Sequence, residues 1–417
     1  MTGFISQHVT TRQLAACRKR LDTFLTDMLA PVGRKDRRHW GGVYLRGLLL
    51  DGERKSAGAM AARLPDGNEQ SRQQFLSQSP WDWLPLWQQM AARVERSFAP
   101  AVAWIIDDTG FPKKGEHSVG GARQYSGTLG KTGNCQIAVS LHRSDRRGSS
   151  PLGFRLYLPR EWTDDPARCR AAGVPEEISF QPNWRLALAL LDEALAWGMP
   201  KPPVVLADAS YGEVTAFREE LEERDLAYAV GISKALAVWP EPPGGAIPVW
   251  NRRGRPTKCV RYGDQKPVSV QELALANEKR FRKVTWREGS RGKLASRFWA
   301  TRVNTAHDWN HGQAPGSEVW LLVEWPVGEN EPVKYYLCDL AEDLSLRRLV
   351  ATARGRWRVE QDYQQMKEEL GLDHFEGRSW TGWHHHVTMV MLAHLFLRLE
   401  QKRRSNKSAV DSAASPP

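Results

Sequence analysis

The chain has 417 residues, 41% hydrophobic and 26% charged, an ordinary globular balance with enough apolar material for a sizeable core. Lysine and arginine (59) outnumber aspartate and glutamate (48), and the net charge of +11 favours a polyanionic partner, nucleic acid first. The absence of a long apolar run excludes a membrane-spanning helix, the polar stretch Met1 to Arg20 lacks a signal-peptide core, and five scattered cysteines with no CxxC pair exclude a disulfide framework and a zinc knuckle and fit a reducing, cytoplasmic compartment.

Residues 1–98 are expected to form an all-helical N-terminal DNA-binding domain. Leu14, Cys17, Leu21, Phe24 and Met28 recur at helical spacing. Tyr44 to Leu50 is a second apolar segment, and Ser56 to Leu64 a short helix with Ser56 as its cap. Pro65-Asp-Gly-Asn68 predicts a turn, Glu69 to Leu76 the next helix, and Trp81 to Phe98 a closing amphipathic helix. Helix, short turn, helix is compatible with a helix-turn-helix DNA reader and equally with a plain helical hairpin.

From residue 99 the pattern changes. Ala101 to Ile106 is a β-rich apolar run that ends in Asp107-Asp108; Gln136 to Leu141 and Gly153 to Leu158 are further strands. Trp184 to Trp197 is an apolar helix, and Pro203 to Ala207 a strand that ends at Asp208. Glu213 to Arg224 is a charged helix, followed by a strand from Leu226 to Ile232. This order predicts an α/β fold, an RNase H-like mixed sheet flanked by helices, over 99–402. Residues 240–340 are rich in Pro, Gly and basic residues and then in strands (Arg297 to Val303, Glu318 to Glu324, Val333 to Leu337), a β-rich insertion. One long helix is expected from Leu344 to Leu370 and another from His385 to Leu399, with a disordered tail over 403–417.

The long helix carries two adjoining faces. Val359, Tyr363, Met366 and Leu370 make an apolar stripe, and Arg356, Glu360, Gln364 and Lys367 share the same spacing about one residue further round. An ordinary solvated charge run would look similar. Asp108 and Asp208, however, each end a hydrophobic strand, where acids face the functional edge of an α/β sheet. With Glu360 they make an all-oxygen site suited to a hard divalent cation. Mg²⁺ favours one or two carboxylates plus phosphate and water, and two such ions drive an in-line displacement at phosphorus. Lys113 and Lys114, just after Asp107-Asp-Thr-Gly-Phe-Pro, would lie close to any anion bound there.

Three blocks then carry a resemblance. Ile106-Asp-Asp-Thr-Gly-Phe-Pro-Lys-Lys-Gly115, Val205-Leu-Ala-Asp-Ala-Ser-Tyr-Gly212 and Arg356-Trp-Arg-Val-Glu-Gln-Asp-Tyr-Gln-Gln-Met-Lys367 together resemble those of a DDE (Asp-Asp-Glu) transposase of a bacterial insertion sequence, in the RNase H-like superfamily with retroviral integrases. The resemblance implies Asp108, Asp208 and Glu360 as metal ligands and catalytic residues, with Asp107 the rival for the first place. It implies two Mg²⁺ ions, with Mn²⁺ as a substitute, and Arg356 and Lys367 as holders of transposon-end phosphates. The expected function is cleavage at transposon ends and joining of the 3′-hydroxyls to target DNA. The partners are double-stranded DNA and a second copy of the chain in a synaptic homodimer, at the bacterial nucleoid. A catalytically silent DNA-binding relative and a stand-alone metal-dependent nuclease are the alternatives. Many relatives carry a tyrosine seven residues before the glutamate, where this chain has Ala353.

Remaining features have plainer explanations beside functional ones. Of the 18 tryptophans most should be core; Trp299 or Trp320, in the insertion, could stack on a flipped base. Adjacent His384, His385 and His386 point in different directions on a helix and make a poor metal shell. Arg378, in the loop after the long helix, could touch phosphate, and Asn251 to Lys258 is a basic loop with the composition of a minor-groove hook. Gln124 to Gly133 is glycine-rich but lacks the spacing of a phosphate loop.

Overall fold

The computed structural model describes residues 10–64, 68–128, 130–249, 251–255, 258–289 and 292–413. The turn at 65–67, the 256–257 step of the basic run and the last residues 414–417 lie outside them. Five helices come first: α1 (Thr11–Met28), α2 (Lys35–Leu49), α3 (Ala57–Ala61), α4 (Glu69–Ser77) and α5 (Leu84–Ser97). Helix α1 starts on a capping box in which Thr10 Oγ1 accepts from the Gln13 amide and Gln13 Oε1 accepts from the Thr10 amide. Asn68 caps α4 by accepting from the Ser71 amide, whereas Ser56 precedes α3 without a side-chain capping bond.

Four strands follow: β1 (Ala103–Pro112), β2 (Ala122–Ser126), β3 (Lys131–Ser144) and β4 (Ser149–Leu156). Two short helices, α6 (Arg160–Thr163) and α7 (Pro166–Ala171), lead to α8 (Asn183–Ala196) and β5 (Val205–Ala207). Then come α9 (Ala209–Gly212), α10 (Thr215–Glu223) and β6 (Tyr228–Ile232). The insertion supplies β7 (Ala237–Trp239), β8 (Val268–Ser269), α11 (Val270–Ala276), β9 (Arg282–Gly289), β10 (Gly292–Thr305), β11 (Glu318–Trp325) and β12 (Lys334–Asp339). The chain closes with α12 (Leu346–Ala353), α13 (Trp357–Gln364) and α14 (Trp380–Ala413).

The twelve strands among the described residues join one mixed sheet in the order β2-β3-β1-β5-β6-β12-β11-β10-β7-β8, with β4 on β3 and β9 on β10. Strand β1 is antiparallel to β3 and parallel to β5, and β5 is parallel to β6. The insertion extends this sheet through the antiparallel pair β6–β12. The glycine-rich Gln124 to Gly133 stretch contains the end of β2 and the start of β3, which pair antiparallel; the apolar pattern alone did not disclose β2, which is only five residues long. One hydrophobic core runs from the N-terminal helices into the sheet. Helix α14 joins the two: Tyr44 Oη meets His386 Nδ1 at 2.8 Å, Trp87 Nε1 donates to Thr388 Oγ1 at 2.9 Å, and Arg20 pairs with Glu400.

The single long helix expected from Leu344 to Leu370 is interrupted. Helix α12 stops at Ala353, a 3₁₀ turn spans Arg354–Arg356, and α13 runs on into a π turn over Gln365–Glu369. Gly355 sits at the break. Glycine is a poor helix former, and here it lies so close to β5 that an added Cβ would stand 3.1 Å from Leu206 Cδ1. Helix α14 begins at Trp380, earlier than the apolar run suggests, where Ser379 Oγ accepts from the Gly382 amide. It continues to Ala413, past position 403 where disorder is expected. Among the described residues no helix is long and apolar enough to cross a membrane.

Candidate active site

Strand β1 is buried from Ala103 to Ile106, and its next two residues are acids. Successive strand side chains leave opposite faces of the sheet, so the two acids meet different helices. Asp107 meets the 3₁₀ turn that leads into α13: its Oδ2 accepts from Arg356 Nη1 at 2.8 Å. Asp108 meets the start of α8, where Asn183 Nδ2 donates to its Oδ2 at 3.2 Å. Asp208 follows β5, the parallel neighbour of β1, and caps α9 by accepting from the Ser210 amide at 3.0 Å and the Ser210 hydroxyl at 2.6 Å. Glu360 stands one turn after Arg356 on α13, 64% exposed, with its Oε1 3.3 Å from Arg356 Nη2. Arg356 thus ties the helix-borne glutamate to the strand-borne aspartate.

The carboxylates are short of positive charge. Burial raises Asp107 to about 7; Arg356 opposes the shift, and Asp208 and Asp108 add to it. Burial, reinforced by Asp208, raises Asp108 to about 6. Tyr211 adds to the picture. Its hydroxyl is buried without a hydrogen-bond partner among the described residues, and burial together with the charges of Asp108, Asp107 and Asp208 pushes it up. Gly212 allows this packing, because any Cβ there would collide with the Gly231 carbonyl of β6. Among the described residues no three His, Cys, Asp or Glu side chains close into a ready-made metal cage. An all-oxygen acid centre with unneutralised charge nevertheless fits a hard cation that keeps water and phosphate among its ligands.

The cationic residues divide between two places. Lys367, on the π turn, donates to Gly110 O at 2.9 Å and Thr128 Oγ1 at 3.1 Å, just beyond Asp108 on β1. Lys113, Lys114 and Arg378 line a separate cleft of about 440 Å³ that also contains Arg54, Asp373 and Glu376. Lys113 Nζ donates to Phe375 O at 2.6 Å, and burial lowers its pKa to about 8.

Sequence patterns missed a buried polar chain behind α13. Asp362 Oδ2 lies 2.7 Å from His142 Nδ1, His142 Nε2 lies 2.9 Å from Ser140 Oγ, and Ser140 Oγ lies 2.5 Å from Tyr363 Oη. Burial raises the pKa of Asp362, but the His142 hydrogen bond and the nearby imidazoles outweigh it and hold the group below the usual range. An ionised carboxylate only accepts, so His142 Nδ1–H donates to Asp362, and the chain of contacts continues from His142 Nε2 through Ser140 to Tyr363. Ser140 is the register partner of Asp107 on β3. The network therefore pins α13 directly behind the acid centre. Asn183 was also missed, since directly after Pro182 and before an apolar run it reads only as a helix start.

The other singled-out residues are mostly structural. Ala353, 4% exposed, sits at the end of α12, where the core closes around it. Trp299 is buried, and Trp320 Nε1 donates to Ala341 O at 3.2 Å. His384, His385 and His386 are buried and bonded to different backbone carbonyls, and burial lowers them to about 3, 4 and 4.

The chain belongs to the DDE superfamily endonucleases, whose family model matches residues 27–293, a span that includes Asp108 and Asp208 and stops before Glu360. Members of this superfamily depend on divalent metal ions. Within that class the chain is similar to a probable transposase for insertion sequence element IS701 from Microchaete diplosiphon, 32% identical over 191 residues. That alignment covers 45% of this chain and 46% of the relative, so the chain spans about half the length of the curated protein it matches. The resemblance to insertion-sequence DDE transposases read from the three blocks is supported on both counts.

Proposed function

We propose that the chain is an RNase H-like DNA transposase that cuts at transposon ends and joins the freed 3′-hydroxyls to target DNA at one acid centre. The single observation that carries this is the meeting of three segments. Asp108 lies on β1, Asp208 ends the adjacent parallel β5, and Arg356 joins Glu360 to Asp107, the neighbour of Asp108 on β1. The strand order β4-β3-β1-β5-β6, with β3 antiparallel and β5 and β6 parallel to β1, supports the RNase H-like assignment.

Asp108, Asp208 and Glu360 would hold two Mg²⁺ ions, or Mn²⁺ in their place. When bound, such ions supply Lewis acidity at the phosphorus centre and at the attacking hydroxyl. The protein's own share is positioning. Asn183 fixes the Asp108 carboxylate and Ser210 fixes that of Asp208. Arg356, anchored on buried Asp107, presents a guanidinium beside the acids that a DNA phosphate can share. Lys367 holds an ammonium at Gly110, two residues beyond Asp108 on β1. Lys113, Lys114 and Arg378 offer further backbone contacts in their cleft. Duplex ends must be paired for joining, so a homodimer is the working assembly, with the N-terminal helices binding the terminal repeats.

The test is a gel assay with Mg²⁺, DNA carrying the ends of the element and a plasmid target. Wild type should release and join ends, while Asp208→Ala and Glu360→Gln should do neither. Cutting without joining by wild type would reduce the enzyme to a nuclease, and end binding without cutting would make it a silent DNA-binding relative.

A further inference from the structure

At the other end of β1 and β5 from the acids lies a groove of about 910 Å³. Its floor includes Ala103, Val204 and Leu206, and its walls carry six arginines: Arg146, Arg147, Arg287, Arg348, Arg354 and Arg358. Among the described residues no carboxylate lines it, and of the six only Arg354 makes an ion pair, with Glu324 at 2.8 Å. Two tryptophans hold the guanidiniums in place without neutralising them. Arg287 lies 3.4 Å from the centre of the Trp357 ring and Arg354 lies 4.8 Å from that of Trp286. Burial lowers the pKa of Arg358; nearby Asp145 opposes this, while Arg398 and Arg287 add to it. A surface that gathers like charges over apolar strand ends, with aromatic plates beneath them, is built to meet an anion.

The groove and the acid centre share one helix turn. Arg354, Gly355, Trp357 and Arg358 line the groove, while Arg356 and Glu360 face the acids. Ala103 and Asp107 are four residues apart on β1, ~13 Å at the usual strand rise, the span of roughly four phosphates along one DNA strand. We infer that this arginine-walled groove holds the phosphodiester backbone of the same duplex whose scissile phosphate lies at the acid centre, a few nucleotides further along. This rests on the reading of the chain as an enzyme acting on DNA.

The test uses the full-length protein and a fluorescein-labelled 20-base-pair duplex, without divalent metal, over a series of salt concentrations. Arg146 and Arg348 are exposed and Arg287 half-buried, so the triple variant R146A/R287A/R348A should fold; its thermal melt checks this, and R146K/R287K/R348K keeps the charge. Removing one cation that neutralises a phosphate lowers the slope of log affinity against log salt by about 0.9. The alanine variant is expected to lose about 2 to 3 from that slope, the lysine variant to keep it, and both to bind one duplex per chain, as wild type does. An unchanged slope in a folded alanine variant overturns the groove. So does a stoichiometry falling from two duplexes in wild type to one in the variant, which would make the groove a site for a separate duplex. If wild type binds no DNA at all, the transposase reading itself fails and takes the groove with it; DNA binding with an unaltered slope sinks the groove alone.

Discussion

Arg356 and Asp107 are joined at 2.8 Å across 249 positions of sequence, and this contact brings the last helix of the acid centre to its first strand. The arginine's other nitrogen reaches Glu360 one turn on, so a single guanidinium spans two of the segments that supply acids. The pair also sets how the site responds to pH.

Removing the guanidinium should be costly only when Asp107 is charged. Asp107 stands at about 7 in the fold, above its unfolded value near 3.9, so its contribution is fully present below pH 4 and is lost as pH rises through about 7. Arg356 lowers that pKa, so Arg356→Gln pushes it further up and extends the loss to higher pH. Urea unfolding should show Arg356→Gln destabilised by about 1–2 kcal/mol at pH 8 and near wild type at pH 4. Equal destabilisation at both pH values would mean that the contact acts through packing alone.

Asp108 gives the complementary case. Its folded value of about 6 exceeds the unfolded one, so a charged Asp108 weakens the fold as pH rises from about 4 to about 6 and above. Asp108→Asn keeps an oxygen for Asn183 and removes the charge. It should gain about 1–3 kcal/mol at pH 8 and nothing at pH 3.5. Mg²⁺ should supply the same relief to wild type at pH 8, raising its melting temperature, and do little for Asp108→Asn. A variant no more stable than wild type at pH 8 would contradict the charge imbalance.

The network behind α13 predicts a third result. Asp362 is buried, and His142 is its hydrogen-bond donor. His142→Leu removes the closest donor to that carboxylate, leaving His394 Nε2 at 3.6 Å, and should cost about 1.5–3 kcal/mol at pH 7. His142→Leu combined with Asp362→Leu should recover part of the loss. A single variant within 1 kcal/mol of wild type would show that the network does not anchor the helix.

How much of this was visible beforehand depends on the range of each interaction. Asp108 and Asp208 were legible because hydrophobic strands lead straight into them, and Glu360 because Arg356, Lys367 and the Val359–Leu370 stripe surround it at helical spacing. The stripe is buried in the structure at Val359, Tyr363, Met366 and Leu370. The break at Gly355 was not disclosed by the apolar stripe, which runs at helical spacing only from Val359, and the packing of Gly355 against Leu206 of β5 joins residues 149 positions apart. His142 and Asp362 are 220 positions apart and neither belongs to a local pattern. The groove was equally hidden: its arginines come from four separate stretches of chain and share a wall only once β1, β5 and α13 are assembled.

The most direct measurement is the single-turnover rate of end cleavage in Mg²⁺ for wild type, Asp107→Asn, Asp108→Asn, Asp208→Asn and Glu360→Gln, with end binding measured alongside. Loss of a group that acts on the transition state itself costs on the order of a hundredfold to a thousandfold or more. That loss is expected for Asp108, Asp208 and Glu360 with binding retained, and a smaller one for Asp107, which acts by holding Arg356. Cleavage by any of the three at close to the wild-type rate, or a deeper loss for Asp107→Asn than for Asp108→Asn, would contradict that assignment.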